Sequence, residues 1–179
     1  SGALKPSPQV TISAWINPTA LDSSGSEVVS MGDSYALRVK TDGNIVFFYF
    51  DGTTWRLVTT TGVDVRVGEW HHIVGQKTSS ALQIYVDGVL RGSLNNTGTI
   101  TYNKGPDFFI GKHGNGDVRY DFIGSIDDVR IYNRALNAQE VALLFNPEHE
   151  LGNGLGGNID QVKWLRDMNL LKAKPMNFI

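Results

Sequence analysis

Short runs in which apolar and polar residues alternate make up most of the chain. In residues 82–86, Leu82, Ile84 and Val86 face one way, while Gln83 and Tyr85 face the other. Such runs are about five to seven residues long and recur every 8–12 residues or so, which is typical of an antiparallel β-sandwich or barrel. They predict strands at 35–40, 44–49, 54–58, 70–76, 82–86, 89–93, 108–111 and 126–132.

Asp-Gly pairs separate the predicted strands at residues 42–43, 51–52 and 87–88. Aspartate and glycine both tolerate a positive φ, so each pair predicts a tight hairpin turn. The chain has 20 glycines in 179 residues, which exceeds the average frequency of about 7%. We therefore interpret the excess glycine as marking turns and edge loops.

One helix is predicted before residue 150. Asn137 precedes Glu140 by three positions, which is the capping-box arrangement. Val141, Leu144 and Phe145 then form a short apolar face that ends before a proline at position 147. We expect this helix to plug one end of the sandwich.

The composition changes after residue 147. Residues 148–158 form a Gly-rich linker, and residues 159–179 are predicted to be an amphipathic helix and tail, with apolar residues recurring every three positions. Two alternatives stay open for that helix. It packs against the sandwich of residues 1–147, or it associates with another chain.

Composition and charge exclude several functional classes. Apolar residues make up 41% of the chain and charged residues 19%, which is sufficient for a real core. The longest apolar runs are far shorter than the ~20 residues that span a bilayer, so we predict no membrane insertion. The net charge is −2 without a basic stripe, so we predict no nucleic-acid partner. The absence of cysteine excludes disulfides, thiolate nucleophiles and Cys-ligated zinc.

Five segments in chain order resemble the laminin-G-like, concanavalin A-like jelly-roll domains of bacterial secreted proteins. The resemblance implies an all-β, two-sheet antiparallel jelly-roll sandwich, in which a concave sheet face and its edge loops bind glycans or proteins. It also implies a secreted or cell-surface location. The segments are VTISAWINP at 10–18, GEWHHIVG at 68–75, IYVDGVL at 84–90, FIG at 109–111 and GSIDDVRIYNRAL at 124–136.

One departure from the family pattern affects the expected assembly. Family members usually carry another strand before the segment that matches residues 3–8, and this sequence lacks it. An open sheet edge invites aggregation. We therefore expect residues 174–179, or a partner chain joined through residues 159–179, to cover that edge.

Three stretches combine aromatic rings with polar side chains, the mixture that a sugar-binding surface needs. The first flanks the turn at 51–52, the second is the loop near residue 102, and the third is the polar loop 112–121. The alternative is that the first stretch packs in the core and the loop is simply solvated. The candidate ligand-binding residues are Tyr49, Trp55, Tyr102, His113, Asn115, Asp117, Arg119 and Tyr120.

Asp127 is the candidate metal ligand. The resemblance implies a structural Ca²⁺ held by this first carboxylate of the Asp127-Asp128 pair and by main-chain oxygens, the ligands that calcium prefers. The alternative is a solvated aspartate, or one paired with an arginine such as Arg130. His71 and His72 are adjacent on a strand and face opposite ways, so they are not predicted to share a metal.

The acidic residues are scattered through turns, which argues against catalysis. Glycoside hydrolases need two facing carboxylates about 5–9.5 Å apart, and the adjacent pair Asp127-Asp128 faces opposite ways on a strand. We therefore predict a non-catalytic recognition domain that binds carbohydrate at or outside the cell surface. The alternative is a protein–protein adhesion or assembly module that uses the open sheet edge and the C-terminal helix.

Overall fold

A computed structural model of the protein describes residues 4–6, 8–22, 24–62 and 64–146. This part of the chain contains ten strands, a short 3₁₀ turn at Val118–Tyr120 and one helix, α1, at Ala138–Phe145. The strands are β1 (Val10–Pro18), β2 (Ser26–Met31), β3 (Tyr35–Val39), β4 (Ile45–Phe50), β5 (Trp55–Thr59), β6 (His71–Lys77), β7 (Ala81–Val86), β8 (Val89–Asn95), β9 (Phe108–Ile110) and β10 (Gly124–Tyr132).

The strands form two five-stranded antiparallel sheets. The first sheet has the order β10-β1-β6-β7-β8, and the second has the order β5-β4-β3-β2-β9. The two sheets stack face to face as a sandwich, because each buries one set of alternating side chains against the other. The predicted all-β, two-sheet fold is confirmed.

The core lies between the inner faces of the two sheets. Alternate residues of β1 and β4, such as Ile12 and Phe47, are fully buried there. Gly75 on β6 marks a point where the sheets approach closely. A Cβ at this position would lie 2.8 Å from side-chain atoms of both Leu37 and Phe47. Only glycine allows the two faces to meet at this distance.

The predicted hairpin turns are confirmed. The pairs at 42–43, 51–52 and 87–88 connect strands that lie side by side in a sheet. Asp87 and Gly88 have φ values of 50° and 78°, which give the two-residue mirror-image turn that fits a twisted hairpin. Most strand ends agree with the sequence prediction to within one or two residues.

Strand β2 was not predicted. All six of its residues are buried, and a bulge interrupts its pairing with β3 between Glu27 and Val29. A strand that is buried on both faces shows no alternation, and a bulge shifts the register of what alternation remains. The apolar–polar pattern therefore could not reveal it.

Helix α1 has the predicted capping box, but its predicted position at the end of the sandwich is wrong. The Asn137 side chain accepts from the Glu140 amide, and the Glu140 carboxylate accepts from the Asn137 amide. The helix lies on the outer face of the first sheet, where Val141 packs with Val74 and other residues of that face. Phe145 stacks on Trp15 at 5.7 Å between ring centroids. Part of the outer face of the first sheet is thus covered.

Several predictions fall outside the described residues. These are the linker at 148–158, the helix and tail at 159–179, and the covering of a sheet edge by residues 174–179. Within the described ranges, the structure contains no helix with the length and apolar character needed to cross a membrane.

His72 should make the stability of the fold depend on pH. The side chain lies under α1, with Nε2 2.8 Å from Ser13 Oγ, and burial lowers the pKa of His72 from 6.5 to about 4. The His72 imidazole is therefore protonated near pH 6.5 in the unfolded chain but only near pH 4 in the folded chain. The unfolding free energy should fall over this window by up to about 3 kcal/mol, since one pKa unit is worth about 1.36 kcal/mol.

Urea denaturation between pH 7 and pH 4 measures this dependence. The variant His72→Gln should lose most of it, whereas His71→Gln serves as the control, because His71 lies at the strand end beside Asp87. An equal pH dependence in the wild type and in His72→Gln would contradict the assignment.

Candidate functional site

An open groove of about 630 Å³ crosses the outer face of the second sheet. Because residues alternate along a strand, the side chains next to the core residues of β3, β4 and β5 project into it. No helix of the described residues covers this face, in contrast to the first sheet. The groove is lined by Ser24, Gly25, Asp33, Arg38, Lys40, Thr41, Val46, Phe48, Trp55, Leu57, Thr59 and His113.

The floor of the groove is apolar and partly exposed. Trp55 and Leu57 on β5 are 46% and 50% exposed, and Phe48 lies opposite Leu57 on the paired strand β4. The Trp55 indole is held in place by the Phe50 ring, at 5.0 Å between centroids. Its Nε1 also donates a 3.1 Å hydrogen bond to the Asp33 carbonyl. The groove therefore presents an aromatic surface of fixed orientation.

A buried ion pair lies at the polar centre of the groove. Glu27 and Arg38 are direct neighbours across β2 and β3, and Arg38 Nη2 donates to Glu27 Oε1 at 2.5 Å. Glu27 is fully buried. Desolvation raises the pKa of Glu27, and the adjacent Arg38 opposes that shift. The guanidinium also lies 4.4 Å from the Tyr120 ring centroid and 5.3 Å from that of Phe48.

His113 connects the loop at 112–121 to this ion pair. Its Nε2 lies 3.3 Å from Asp33 Oδ1 and 3.7 Å from Glu27 Oε1. Its Nδ1 lies 2.6 Å from Asn115 Oδ1, and its ring is 4.7 Å from the Tyr120 ring. The loop thereby contributes an imidazole and a phenol to one side of the groove.

Four of the predicted ligand-binding residues meet at the groove. Trp55 and His113 line it, Tyr120 contacts Arg38, and Asn115 orients His113. The other two polar residues of the loop are engaged with each other on the surface. There Arg119 Nη2 donates to Asp117 Oδ2 at 2.6 Å.

Tyr49 and Tyr102 do not line the groove. The prediction of Tyr49 as a ligand-binding residue is wrong because Tyr49 is buried, whereas that of Tyr102 stays a prediction. Tyr49 is fully buried in the core and its hydroxyl donates to Asn96. Tyr102 packs edge to face on Tyr35, and its hydroxyl donates to the Pro6 carbonyl at 2.5 Å. Tyr49 alternates with the outward-facing Phe48, so its position on β4 turns it toward the core.

Sequence reasoning missed the charged residues of the groove, among them Glu27, Asp33 and Arg38. Arg38 does carry a signal, because it stands between Leu37 and Val39 in a strand whose alternate residues are apolar. A charged residue at that position marks the outer face of the sheet. Glu27 carries no such signal, because β2 itself was not predicted.

Asp127 lies on β10, away from the groove, and is exposed. Its Oδ1 accepts from the Asp128 amide at 2.7 Å, while the Asp128 carboxylate is paired with Arg130 at 2.7 Å. Arg130 thus pairs with Asp128 and not with Asp127. Across the described ranges, no three His, Asp or Glu side chains form a group that could hold a metal.

The donor set at Asp127 can be compared with what calcium requires. Among the described residues no cation pairs with the Asp127 carboxylate, which is one ligand group, whereas Ca²⁺ takes about six to eight oxygen ligands. Main-chain oxygens and water would have to supply the others. The structural Ca²⁺ at Asp127 stays a prediction.

Breaking the Glu27–Arg38 pair by removing one partner should destabilise the fold as well as change the shape of the groove. Glu27→Ala leaves the guanidinium without its buried carboxylate and should lower the unfolding free energy by about 1.5–3 kcal/mol. The control is Lys40→Ala, which removes an exposed pair with Asp42 and should cost less than about 1 kcal/mol. Urea denaturation at pH 7 measures both. Equal losses in the two variants would contradict this account.

Several solved structures share this fold. The CBM40 domain of an IT-sialidase from Ruminococcus gnavus, bound to α2,3-sialyllactose, aligns with a TM-score of 0.69 and 17% identity over 80% of this chain and 85% of its own. Domain 4 of the arabinanase AbnA from Geobacillus stearothermophilus, in complex with arabinotriose, aligns with a TM-score of 0.59 and 21% identity over 77% of this chain and 66% of its own. A heptameric SAP-like pentraxin from Limulus polyphemus aligns with a TM-score of 0.60 and 18% identity over 77% of this chain and 70% of its own.

Sequence comparison adds a family assignment. No curated protein sequence matches this chain. The model of the concanavalin A-like lectin/glucanases superfamily matches residues 1–142, which include all ten strands of the sandwich and the loop that borders the groove. The chain therefore belongs to the concanavalin A-like lectin/glucanases superfamily.

Proposed function

We propose that this chain is a non-catalytic recognition domain that binds carbohydrate in the groove of the second sheet. The observation that carries the proposal is the pairing of an exposed, immobilised Trp55 ring with polar groups at its side. A pyranose presents a C–H face that packs on an aromatic ring and hydroxyls that need hydrogen-bond partners. Trp55 and Leu57 supply the apolar surface, and Arg38, Asp33 and His113 supply the polar groups.

The structural neighbours support the proposal that this fold binds sugars. The CBM40 domain was solved with sialyllactose and the AbnA domain with arabinotriose, so sugars bind to sandwiches of this architecture. The AbnA domain comes from an extracellular arabinanase. We accordingly propose a secreted or cell-surface location and a glycan partner for this chain. The assembly role expected for residues 159–179 stays a prediction.

The state of the groove carboxylates supports binding rather than hydrolysis. Glycoside hydrolysis needs one carboxyl group to protonate the leaving oxygen and a second to act as nucleophile or base. Glu27 is fully buried and hydrogen-bonded to Arg38, and Asp33 lies 3.3 Å from the His113 imidazole. Glu27 is thus withheld from the sugar that would lie on Trp55.

The first test of this function uses two tryptophans of nearly equal exposure. The wild-type domain is screened on an array of neutral and acidic glycans, and the affinity for the best binder is measured by calorimetry. Trp55→Ala should weaken binding roughly 10-fold or more, since loss of an aromatic contact of about 1.4 kcal/mol is tenfold in Kd. Trp70→Ala is the matched control, because Trp70 is 47% exposed and lies outside the groove.

Two results would contradict the proposal. One is the absence of binding to any glycan by the wild-type domain. The other is an equal loss of affinity in Trp55→Ala and Trp70→Ala, which would place the binding surface elsewhere or indicate a general effect on the fold.

A further inference from the structure

We infer that the groove is selective for sugars that carry a carboxylate, and that Arg38 is the residue that contacts it. This inference rests on the proposed carbohydrate binding and adds the chemical class of the ligand. The observations that support it concern the orientation of Arg38, its free hydrogen-bond donors and the charges around it.

Arg38 is held in one orientation before any ligand arrives. Glu27 engages Nη2 from the buried side at 2.5 Å. The rings of Tyr120 and Phe48 lie within cation–π distance of the guanidinium, at 4.4 Å and 5.3 Å. The side chain is 21% exposed and lines the groove. A cation fixed in this way loses little conformational entropy when it binds a ligand.

The guanidinium keeps donors that protein groups do not use. It has five N–H donors, and among the described residues it makes one hydrogen bond, from Nη2 to Glu27. Nε is buried and without a hydrogen-bond partner, so the donors that remain for a ligand are on the two Nη atoms. Two parallel N–H groups match the two oxygens of a carboxylate, which gives a charge-assisted bidentate contact.

The charges around the groove favour an anion, although the whole chain has a net charge of −2. Arg38 and Lys40 line the groove together with one carboxylate, Asp33, which lies 3.3 Å from His113. Lys40 is also paired with the exposed Asp42 at 3.2 Å, so Arg38 is the main cation of the lining. Lys104 adds a third cation beside the floor, with Nζ 5.3 Å from the Trp55 ring centroid. No carboxylate of the described residues forms an ion pair with Lys104.

Glu27 offsets part of the charge of Arg38 but bonds only its Nη2, so the other Nη donors stay available. It is fully buried behind Arg38 and so presents no carboxylate to the groove. Its role is to compensate the charge of Arg38 when no ligand is bound and to orient the remaining donors. A neutral sugar in the same place would offer Arg38 only hydroxyl oxygens, which carry no opposite charge and do not match the two parallel N–H groups as a carboxylate does.

Matched ligands that differ by one acidic sugar test the inference. Calorimetry compares sialyllactose with lactose, and a glucuronate-terminated disaccharide with its glucose-terminated counterpart. We expect the acidic member of at least one pair to bind ten-fold or more tightly at low salt. That preference should decrease at high salt, because the groove is open to solvent and the charges are screened.

Variants then assign the preference to its residue. Arg38→Lys keeps the charge but loses the fork of donors, and should remove most of the preference for the acidic member. The double variant Glu27→Gln/Arg38→Gln removes both charges together, so it avoids leaving a buried Glu27 without its cation. It should bind both members of a pair equally. Arg66→Met is the control, because Arg66 is 68% exposed outside the groove and should leave the preference unchanged.

The outcomes separate this inference from the function on which it rests. If both members of each pair bind equally, and Trp55→Ala weakens both, the carboxylate inference is overturned and carbohydrate binding in the groove stands. If the acidic preference survives both Arg38 variants, Arg38 is not the contact and the inference is likewise overturned. If no sugar binds the wild-type domain, both the inference and the proposed function fail.

Discussion

The close contact of the two inner sheet faces determines what the outer faces present. At Gly75 the sheets lie so close that a Cβ atom at this position would clash with Leu37 and Phe47. Burying Leu37 and Phe47 in this contact turns their neighbours Arg38 and Phe48 outward, because successive side chains on a strand point to opposite faces. The residues of the groove are therefore set by the same alternation that builds the core. A slip of one residue in either strand would exchange the groove for the core.

Within the described residues, the two outer faces differ because a helix packs on the first sheet and none packs on the second. Val141 and Phe145 bring α1 onto the first sheet, where they cover an otherwise exposed apolar surface. The outer face of the second sheet is bordered instead by the loop at 112–121, which brings His113 and Tyr120 to its edge. Among the described residues, α1 thereby covers part of the first sheet, and the outer face of the second sheet remains available to a ligand. The proposed function follows from this asymmetry of the sandwich.

The Glu27–Arg38 pair is costly for a fold that could have used apolar residues at the same positions. Moving a carboxylate out of water carries a large desolvation penalty, and replacing buried ion pairs by well-packed apolar residues is often neutral or stabilising. The raised pKa of Glu27 reflects that penalty. Arg38 lines the open groove while Glu27 is buried behind it, so the pair is better explained by what Arg38 can bind than by stability. This is the physical basis of the inference about carboxylate-bearing sugars.

Local chemistry was enough to predict much of the fold. The Asp-Gly turns, the capping box at Asn137 and most strand positions depend on neighbours within a few residues, and the family segments identified the sandwich. Alternation along one strand, however, separates two faces without saying which of them is buried. The local pattern does not decide whether Phe48 or Tyr49 faces the core, and the packing of the second sheet against the first decides it.

Only the tertiary structure decided which candidates form a site. Trp55 and His113 lie far apart in the sequence. They line the same groove because the strand order β5-β4-β3-β2-β9 places β5 and the loop at 112–121 along one sheet. Glu27 lies on β2, a strand that is buried on both faces and shows no alternation. Helix α1 packs on the face of the first sheet and not at the end of the sandwich. These outcomes depend on contacts between distant segments, which no local pattern encodes.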